Sequence, residues 1–148
     1  MAILDKTIKP FIQDRDSNVF IGIDYPYHKS SGVEGWFAST ATTIESVKNN
    51  IKMLLNTERG ERLMQPALGM SLRRFLFEQI TEETIENIKN EIVATLSFWL
   101  PFVEIQQLEV SNRNSDQAEG NKLAIKILFN ITRAPNSLES VQVVITGE

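Results

Sequence analysis

The chain has 148 residues, 42% of them hydrophobic and 23% charged, which is enough for one domain with a buried core. Its formal net charge of −4 argues against nucleic-acid binding, because nucleic-acid-binding proteins present a basic surface. The chain has no cysteine, which excludes disulfides and thiolate metal sites, and no apolar run approaches the ~20 residues that cross a membrane. We therefore expect a protein that works without nucleic acid, membrane, metal or cofactor.

Residues 1–40 show no helical period, yet they hold six of the chain's 12 aromatic residues: Phe11, Phe20, Tyr25, Tyr27, Trp36 and Phe37. Because disordered tails are usually poor in aromatic residues, this composition predicts an extended arm that docks on another surface. Within the arm, Val19 to Ile23 is expected to form a short strand, which Asp24-Tyr25-Pro26 ends.

Residues 42–101 predict three helices. Thr42 and Glu45 form a capping-box pattern for the first helix, which should end near Asn56. A short helix is expected from Ser71, and a long third helix from Thr81 to the stop at Pro101. The predicted buried stripes are Ile44, Val47, Ile51, Leu54 and Leu55, then Leu72, Phe75 and Leu76, then Ile85, Ile88, Ile92, Leu96 and Trp99.

The last third predicts three strands. Apolar residues alternate from Leu123 to Ile131, and before them the apolar phase slips at Gln106-Gln107, which suggests a β-bulge. A third strand is expected from Val141 to Ile145, after Ala134-Pro135-Asn136. The predicted fold is therefore α+β, with three helices packed on a small three-stranded, mostly antiparallel sheet and an extended N-terminal arm.

A terminal strand leaves unpaired backbone groups along its outer side. Such an edge is either covered by a loop or by the arm, or it pairs with a strand of a partner protein. The residues alone leave both possibilities open for the strand that contains Val141, Val143 and Ile145.

The turn after the first helix has two opposed interpretations. Glu61 could act as a catalytic acid, with Glu78 as the second carboxylate of a glycosidase and Asp16 or Asp24 as distant options. Alternatively, Glu61, Arg62, Pro66 and Gly69 shape a structural joint between helices. Arginines beside Glu61 would stabilise its charged form, the opposite of what a general acid needs, so the structural interpretation is favoured. His28, the chain's one histidine, is expected to be a surface residue.

A helix ending in Leu54-Leu55-Asn56-Thr57 is followed by Arg59-Gly60-Glu61-Arg62, Pro66-x-x-Gly69 and Leu76-Phe77-Glu78. Together with the long helix and β-hairpin that come next, this pattern resembles the small baseplate wedge proteins of contractile phage tails. Relatives of that family occur in type VI secretion and other contractile injection machines. The resemblance covers about residues 40–146. Residues 1–40, with Ile21-Gly22-Ile23-Asp24-Tyr25-Pro26, resemble arms of wedge proteins in T4-like phages, notably those of cyanobacteria.

The resemblance implies two regions, an arm over residues 1–40 and a wedge and sheath-initiator domain over residues 41–148. It implies a sixfold hetero-oligomeric assembly around the tail tube, built in the host cytoplasm and found in the baseplate of the virion tail. The implied partners are other wedge proteins, whose helical core bundle the domain grips, and the tail sheath protein. Val141, Val143 and Ile145 would lie on the strand that serves as a template for sheath strands.

One feature departs from the family. Many members carry Glu-Pro-Arg between the long helix and the first strand, where this chain has Leu100-Pro101-Phe102. Either Leu100 and Phe102 contact the core bundle through apolar groups, or they close the protein's own core.

Part of the family has been described as lysozyme, so a peptidoglycan-cleaving glycosidase that uses Glu61 and Glu78 is the alternative function. A structural role predicts no enzymatic turnover. It also predicts a loss of stability on changing Glu61 or Arg62 if the two form a buried ion pair.

Overall fold

The computed structural model describes residues 21–29, 36–40, 42–79, 81–112, 122–132 and 134–146, without the side chains of residues 112 and 134–137. In chain order the elements are β1 (Gly22–Ile23), β2 (Ser39–Thr40), α1 (Thr43–Asn56), a 3₁₀ helix (Leu72–Phe77), α2 (Glu82–Trp99), β3 (Val103–Asn112), β4 (Lys122–Ile131) and β5 (Ala134–Thr146). Three helices and a three-stranded antiparallel sheet in the order β3-β4-β5 confirm the predicted α+β class.

The first helix, α1, begins and ends where the sequence pattern predicts. The Thr42 hydroxyl accepts a hydrogen bond from the Glu45 backbone N–H at 3.3 Å, which caps the N-terminus. At the other end the Thr57 N–H and hydroxyl both donate to the Met53 carbonyl, at 2.9 and 2.7 Å. The predicted stripe is confirmed, since Val47, Ile51, Leu54 and Leu55 are buried.

The two later helices also begin at the predicted positions. The short helix after Ser71 is a 3₁₀ helix rather than an α-helix, and it buries Leu72, Phe75 and Leu76. In α2 the Thr81 hydroxyl accepts from the Thr84 N–H at 3.2 Å. The residues Ile88, Ile92 and Leu96 of α2 are fully buried.

The bulge predicted at Gln106-Gln107 is confirmed and explains the phase of β3. Ile105 pairs with Phe129, and Gln107 then pairs with Leu128, so Gln106 is an extra residue. Because of this insertion, Leu108 and Val110 lie opposite Ile127 and Ile125, on the same face of the sheet as Ile105. The apolar residues on this face join one hydrophobic core with the helices.

The third strand is longer than predicted. It begins at Ala134 rather than Val141, so Ala134-Pro135-Asn136, which were expected to precede the strand, belong to it. A proline is tolerated here because β5 is an edge strand, in which a missing N–H need not break the ladder. The register shifts between Phe129 and Ile131, which pairs with Ala134.

Residues before α1 form a small antiparallel hairpin, β1 with β2, that rests on α1. The predicted strand is observed only over Gly22–Ile23. Val19, Phe11 and Phe20 lie outside the described residues. The contact with α1 is polar, since the Asn49 amide donates to the Asp24 carboxylate at 3.0 Å and the Lys52 ammonium donates to the Tyr25 carbonyl at 3.3 Å.

Candidate assembly surfaces

The segment between α1 and the 3₁₀ helix, residues 58–69 (the joint loop), is closed on itself by backbone hydrogen bonds. The Met70 N–H donates to the Thr57 carbonyl at 2.9 Å and ties the two ends of the loop. The Gly60 N–H donates to the Pro66 carbonyl at 2.8 Å and ties its middle. A compact loop whose ends meet in this way presents a fixed shape at the surface.

Two glycines allow the joint loop to close. Gly60 and Gly69 adopt φ values of +88° and +107°, in a region that side chains disfavour. A Cβ atom at position 69 would also overlap the Thr57 carbonyl oxygen, whereas a Cβ at position 60 would meet nothing within 4 Å. The backbone at residue 69 can therefore approach the end of α1 only without a side chain.

Glu61 and Arg62 are both exposed and form no buried ion pair, so the condition for the predicted loss of stability is not met. The Glu61 carboxylate instead accepts a hydrogen bond from the Glu58 backbone N–H at 3.0 Å, which stabilises the first turn of the joint loop. Glu61 therefore has a local structural contact, while Arg62 is one of the residues that line a groove between α1, the loop and the end of α2.

The tip of the joint loop carries two apolar side chains that sequence analysis missed. Leu63 and Met64 are 96% and 94% exposed. The available signal was an apolar pair with no helical or strand period, placed between Arg62 and Gln65-Pro66. Two neighbouring apolar side chains held in solvent by a closed loop indicate an interaction surface.

Two grooves flank Trp99, where the joint loop meets the end of α2. The first (the Trp99 groove) has a volume of about 180 Å³ and is lined by Asn50, Met53, Leu54, Arg62, Leu68, Trp99 and Leu100. The second has about 340 Å³ and is lined by Arg59, Ala67, Ala94, Thr95, Phe98 and Trp99. Phe98 stacks edge-on against Trp99, with ring centroids 5.1 Å apart, and stays 74% exposed.

Leu100, Pro101 and Phe102 separate into two environments. Leu100 is 8% exposed and belongs to the core, although it also lines the Trp99 groove. Pro101 is exposed, and the Phe102 ring is 40% exposed. The fold thus brings one predicted contact residue, Leu100, and one predicted joint residue, Arg62, to the same groove.

The edge strand β5 has one buried and one exposed face. Val141, Val143 and Ile145 are at most 7% exposed and face the core, whereas Gln142, Val144 and Thr146 are exposed. Among the described residues, β4 is the only strand that pairs with β5, so its other backbone side has no strand neighbour. The Lys48 ammonium holds Glu139 of this strand to α1 at 2.9 Å.

The hairpin that precedes α1 in the chain exposes its apolar side to solvent. Ile21, Ile23, Tyr27, Trp36 and Phe37 are all between 45% and 81% exposed. Tyr27 stacks edge-on against both Tyr25 and Phe37, at centroid distances of 5.6 and 6.2 Å. Since the polar side of the hairpin faces its own protein, this aromatic surface is a second candidate interface.

The carboxylates considered for catalysis do not share a described groove. The Glu61 carboxylate accepts a hydrogen bond within its own loop. Glu78 is the exposed C-cap residue of the 3₁₀ helix. Neither residue lines the two grooves beside Trp99. Asp24 is used structurally by Asn49 and by the Tyr25 N–H, and Asp16 lies outside the described residues.

His28 is exposed, and its Nε2 atom lies 3.7 Å from the Asp24 carboxylate. Within the part of the chain that the structure describes, no group of three or more His, Asp or Glu side chains could hold a metal ion. No helix in that part is both long and apolar enough to cross a lipid bilayer.

These features define a small α+β domain with candidate interaction surfaces, which are exposed apolar side chains and the outer side of an edge strand. The sequence model of the family described as baseplate wedge protein gp25 matches residues 41–136. The chain is 23% identical over 104 residues to baseplate wedge protein gp25 of Enterobacteria phage T4, which covers 70% of this chain and 76% of that protein.

Two solved structures have a similar fold. A Geobacter sulfurreducens protein described as a tail lysozyme superposes with a TM-score of 0.61 and 29% identity, over 72% of this chain and 93% of that one. A chain of the anti-feeding prophage baseplate superposes with a TM-score of 0.60 and 25% identity, over 74% of this chain and 83% of that one.

The chain therefore belongs to the gp25 family of baseplate wedge proteins, which confirms the resemblance read from its motifs. It is a structural component of the baseplate of a contractile virion tail, where it interacts with other baseplate proteins. Because the family is structural, the glycosidase interpretation of Glu61 and Glu78 is not favoured. The match includes the joint loop and the Trp99 groove, while the hairpin and the residues Val141, Val143 and Ile145 lie beyond it.

Proposed function

We propose that this protein binds the helical core of the baseplate wedge and serves as the template for the first sheath ring by β-strand addition. In this proposal the sheath protein adds a strand to the outer side of β5, and the wedge is repeated sixfold around the tail tube. The protein acts mechanically and performs no bond cleavage.

The free side of β5 is the observation that carries the proposal. Val141, Val143 and Ile145 fix the strand by packing into the core, so the backbone groups on its outer side are held in an extended row. Such a row pairs readily with an incoming strand, because main-chain hydrogen bonds supply the affinity. In this proposal the buried side chains hold β5 in place, and the backbone of β5 makes the contact with the sheath strand.

Contact with the wedge core is proposed for the junction between α2 and β3. Phe102 follows Pro101 and is 40% exposed, whereas Leu100 lies in the core. An apolar contact at Phe102 is the form that this chain's junction allows, because neither Leu100 nor Phe102 carries a charge.

The arm, residues 1–40, is proposed to tie the subunit to neighbouring wedge proteins, with residues 41–148 forming the wedge domain. The support comes from the hairpin, whose aromatic residues Tyr27, Trp36 and Phe37 face away from α1. None of the residues in the hydrophobic core cluster precedes α1, so the domain's core does not depend on the described part of the arm.

The template is tested by placing lysines on β5 without disturbing the core. Removing the end of the chain would take Val141, Val143 and Ile145 out of the core, so a surface change is the cleaner experiment. The double variant Gln142→Lys/Val144→Lys changes two exposed side chains on the edge strand, and lysines on an edge oppose strand addition. Tails assembled with this variant should contain complete baseplates that bear no sheath in electron micrographs.

The matched control is Gln107→Lys/Ser111→Lys on β3, the other edge strand of the sheet, where two exposed neutral side chains gain the same charge. This control should assemble baseplates and grow normal sheaths. Normal sheaths on the β5 variant, or sheath loss in the β3 control alone, would refute β5 as the template.

A further inference from the structure

We infer that the β-bulge at Gln106 closes the β3 edge to strand addition, so that each copy of the protein accepts one partner strand, at β5, and none at β3. This inference rests on the proposed function, because it takes β5 as the open edge of the sheet. Its consequence is that copies of the protein do not link to one another in long assemblies.

The sheet has two edges, and strand addition at both would let the protein polymerise. Since the strand order is β3-β4-β5, both β3 and β5 have one side without a strand neighbour among the residues that the structure describes. If both edges were open, β5 of one copy would pair with β3 of the next, and this contact would repeat without closing. A protein that keeps β5 free for a partner strand therefore needs protection at β3.

The two edge strands differ in regularity. Every residue from Glu139 to Thr146 in β5 pairs with β4 in unbroken register. In β3 the extra residue Gln106 interrupts the register and separates residues 103–105 from residues 107–112. A bulge bends the strand and increases its local twist, so an incoming strand that follows one of these segments is out of step with the other. Bulges protect edge strands in this way.

The bulge is held in place from the middle of the sheet. The Gln106 side-chain amide donates to the Asn130 side-chain oxygen at 3.1 Å. Asn130 lies on the central strand β4 and is only 7% exposed. The hydrogen bond therefore fixes the bulge at one position of β3, and the interruption of the edge is a permanent feature of the fold.

Charge acts in the same direction as the bulge. Each segment of β3 carries an exposed carboxylate, Glu104 in the first and Glu109 in the second. The Glu109 carboxylate accepts a hydrogen bond from the Gln107 amide at 2.7 Å and lies 3.7 Å from the Lys126 ammonium, so it is held on the sheet. The exposed residues of β5 from Ser140 to Thr146 carry no charge. Because charged side chains along an edge oppose strand pairing, β3 is the disfavoured edge on both counts.

The inference is tested by opening the β3 edge. The opened variant lacks Gln106 and carries Glu104→Thr and Glu109→Thr, which gives β3 a regular and uncharged edge. Light scattering after gel filtration measures the mass of the full chain in solution. The wild type should form nothing larger than a dimer, because one open edge joins at most two copies. The opened variant should form larger species whose average mass rises with protein concentration.

Two controls separate edge pairing from loss of stability. Gln106→Ala with the same two threonines loses the hydrogen bond to Asn130 but keeps the extra residue, so it should behave like the wild type. Adding Gln142→Lys/Val144→Lys to the opened variant closes β5 and should reduce it to dimers or monomers. An opened variant that folds and matches the wild type in mass would overturn the inference. Large assemblies of the Gln106→Ala control would do so as well.

A second measurement leaves the bulge intact. A synthetic peptide with the sequence of residues 138–146 is added in excess to the isotopically labelled wild type, and backbone amide resonances are recorded by NMR. The amides of β5 should shift and those of β3 should not. Shifts in β3 as large as those in β5 would overturn the inference, even if the deletion of Gln106 prevented folding. A failure of the template proposal looks different, because it appears in sheath growth on variants of β5.

Discussion

Gly69 touches the end of α1 so closely that a Cβ atom on it would overlap the carbonyl oxygen of Thr57. The same carbonyl accepts the Met70 N–H at 2.9 Å, so the close approach and the hydrogen bond that closes the joint loop occur at one point. This point orients the 3₁₀ helix relative to α1, and with it the tip that carries Leu63 and Met64.

Substitution of the two loop glycines by alanine should separate backbone strain from steric overlap. Gly60→Ala should cost about 1–2 kcal/mol of unfolding free energy, because φ is +88° and the space around it is open. Gly69→Ala should cost about 3 kcal/mol or more, because it adds overlap with Thr57 to the strain at φ +107°. Urea denaturation measures both, and equal losses would mean that residue 69 does not approach α1 as described.

The two faces of β5 can be compared with one substitution. Val141→Thr places a hydroxyl where the side chain is 3% exposed, so it should cost about 1–3 kcal/mol. Val144→Thr makes the same change where the side chain is 42% exposed, and it should stay within about 0.5 kcal/mol of the parent. The shift of the unfolding midpoint measures the loss of stability of each variant. A larger loss of stability for Val144→Thr than for Val141→Thr would show that the two faces of the strand are reversed.

Deletion of Gln106 should leave the phase of the sheet intact. The residues on either side already pair with Phe129 and Leu128, so the ladder becomes regular when the extra residue is removed. The expected cost is about 1 kcal/mol, for the lost hydrogen bond of 3.1 Å from the Gln106 amide to the Asn130 side chain.

Deletion of Glu104, an exposed residue of the same strand, is the control. However the ladder adapts, Val103 or Ile105 must then leave the buried face, which should cost about 2 kcal/mol or more. Denaturant titrations of the two deletions should therefore differ by at least about 1 kcal/mol. If Gln106 were the costlier deletion, the proposed role of the bulge would be wrong.

No peptidoglycan cleavage is expected from the purified protein. A glycosidase needs two carboxyl groups about 5–10 Å apart across a cleft, whereas Glu61 is bound to its own loop and Glu78 caps a helix on the surface. The release of soluble sugar from cell walls should equal the blank for the parent, for Glu61→Gln and for Glu78→Gln. Turnover by the parent that either substitution abolished would establish the enzyme instead.

The sequence by itself determined the elements that depend on local periodicity. The stripes of α1 and α2, the caps at Thr42 and Thr81 and the alternation in β4 were all predictable, because each follows from spacing along a single helix or strand. Even the bulge was visible, since a slip in apolar phase within one strand requires an extra residue.

Only the tertiary structure decided which apolar residues remain in solvent. Leu63 and Leu100 are equally hydrophobic, yet one is 96% exposed at a loop tip and the other 8% exposed in the core. The difference depends on which elements cover each residue, and sequence spacing does not report distant neighbours. For the same reason Ala134 was placed before the strand to which it belongs. Arg62 likewise lines its groove only because α1, the joint loop and α2 pack together.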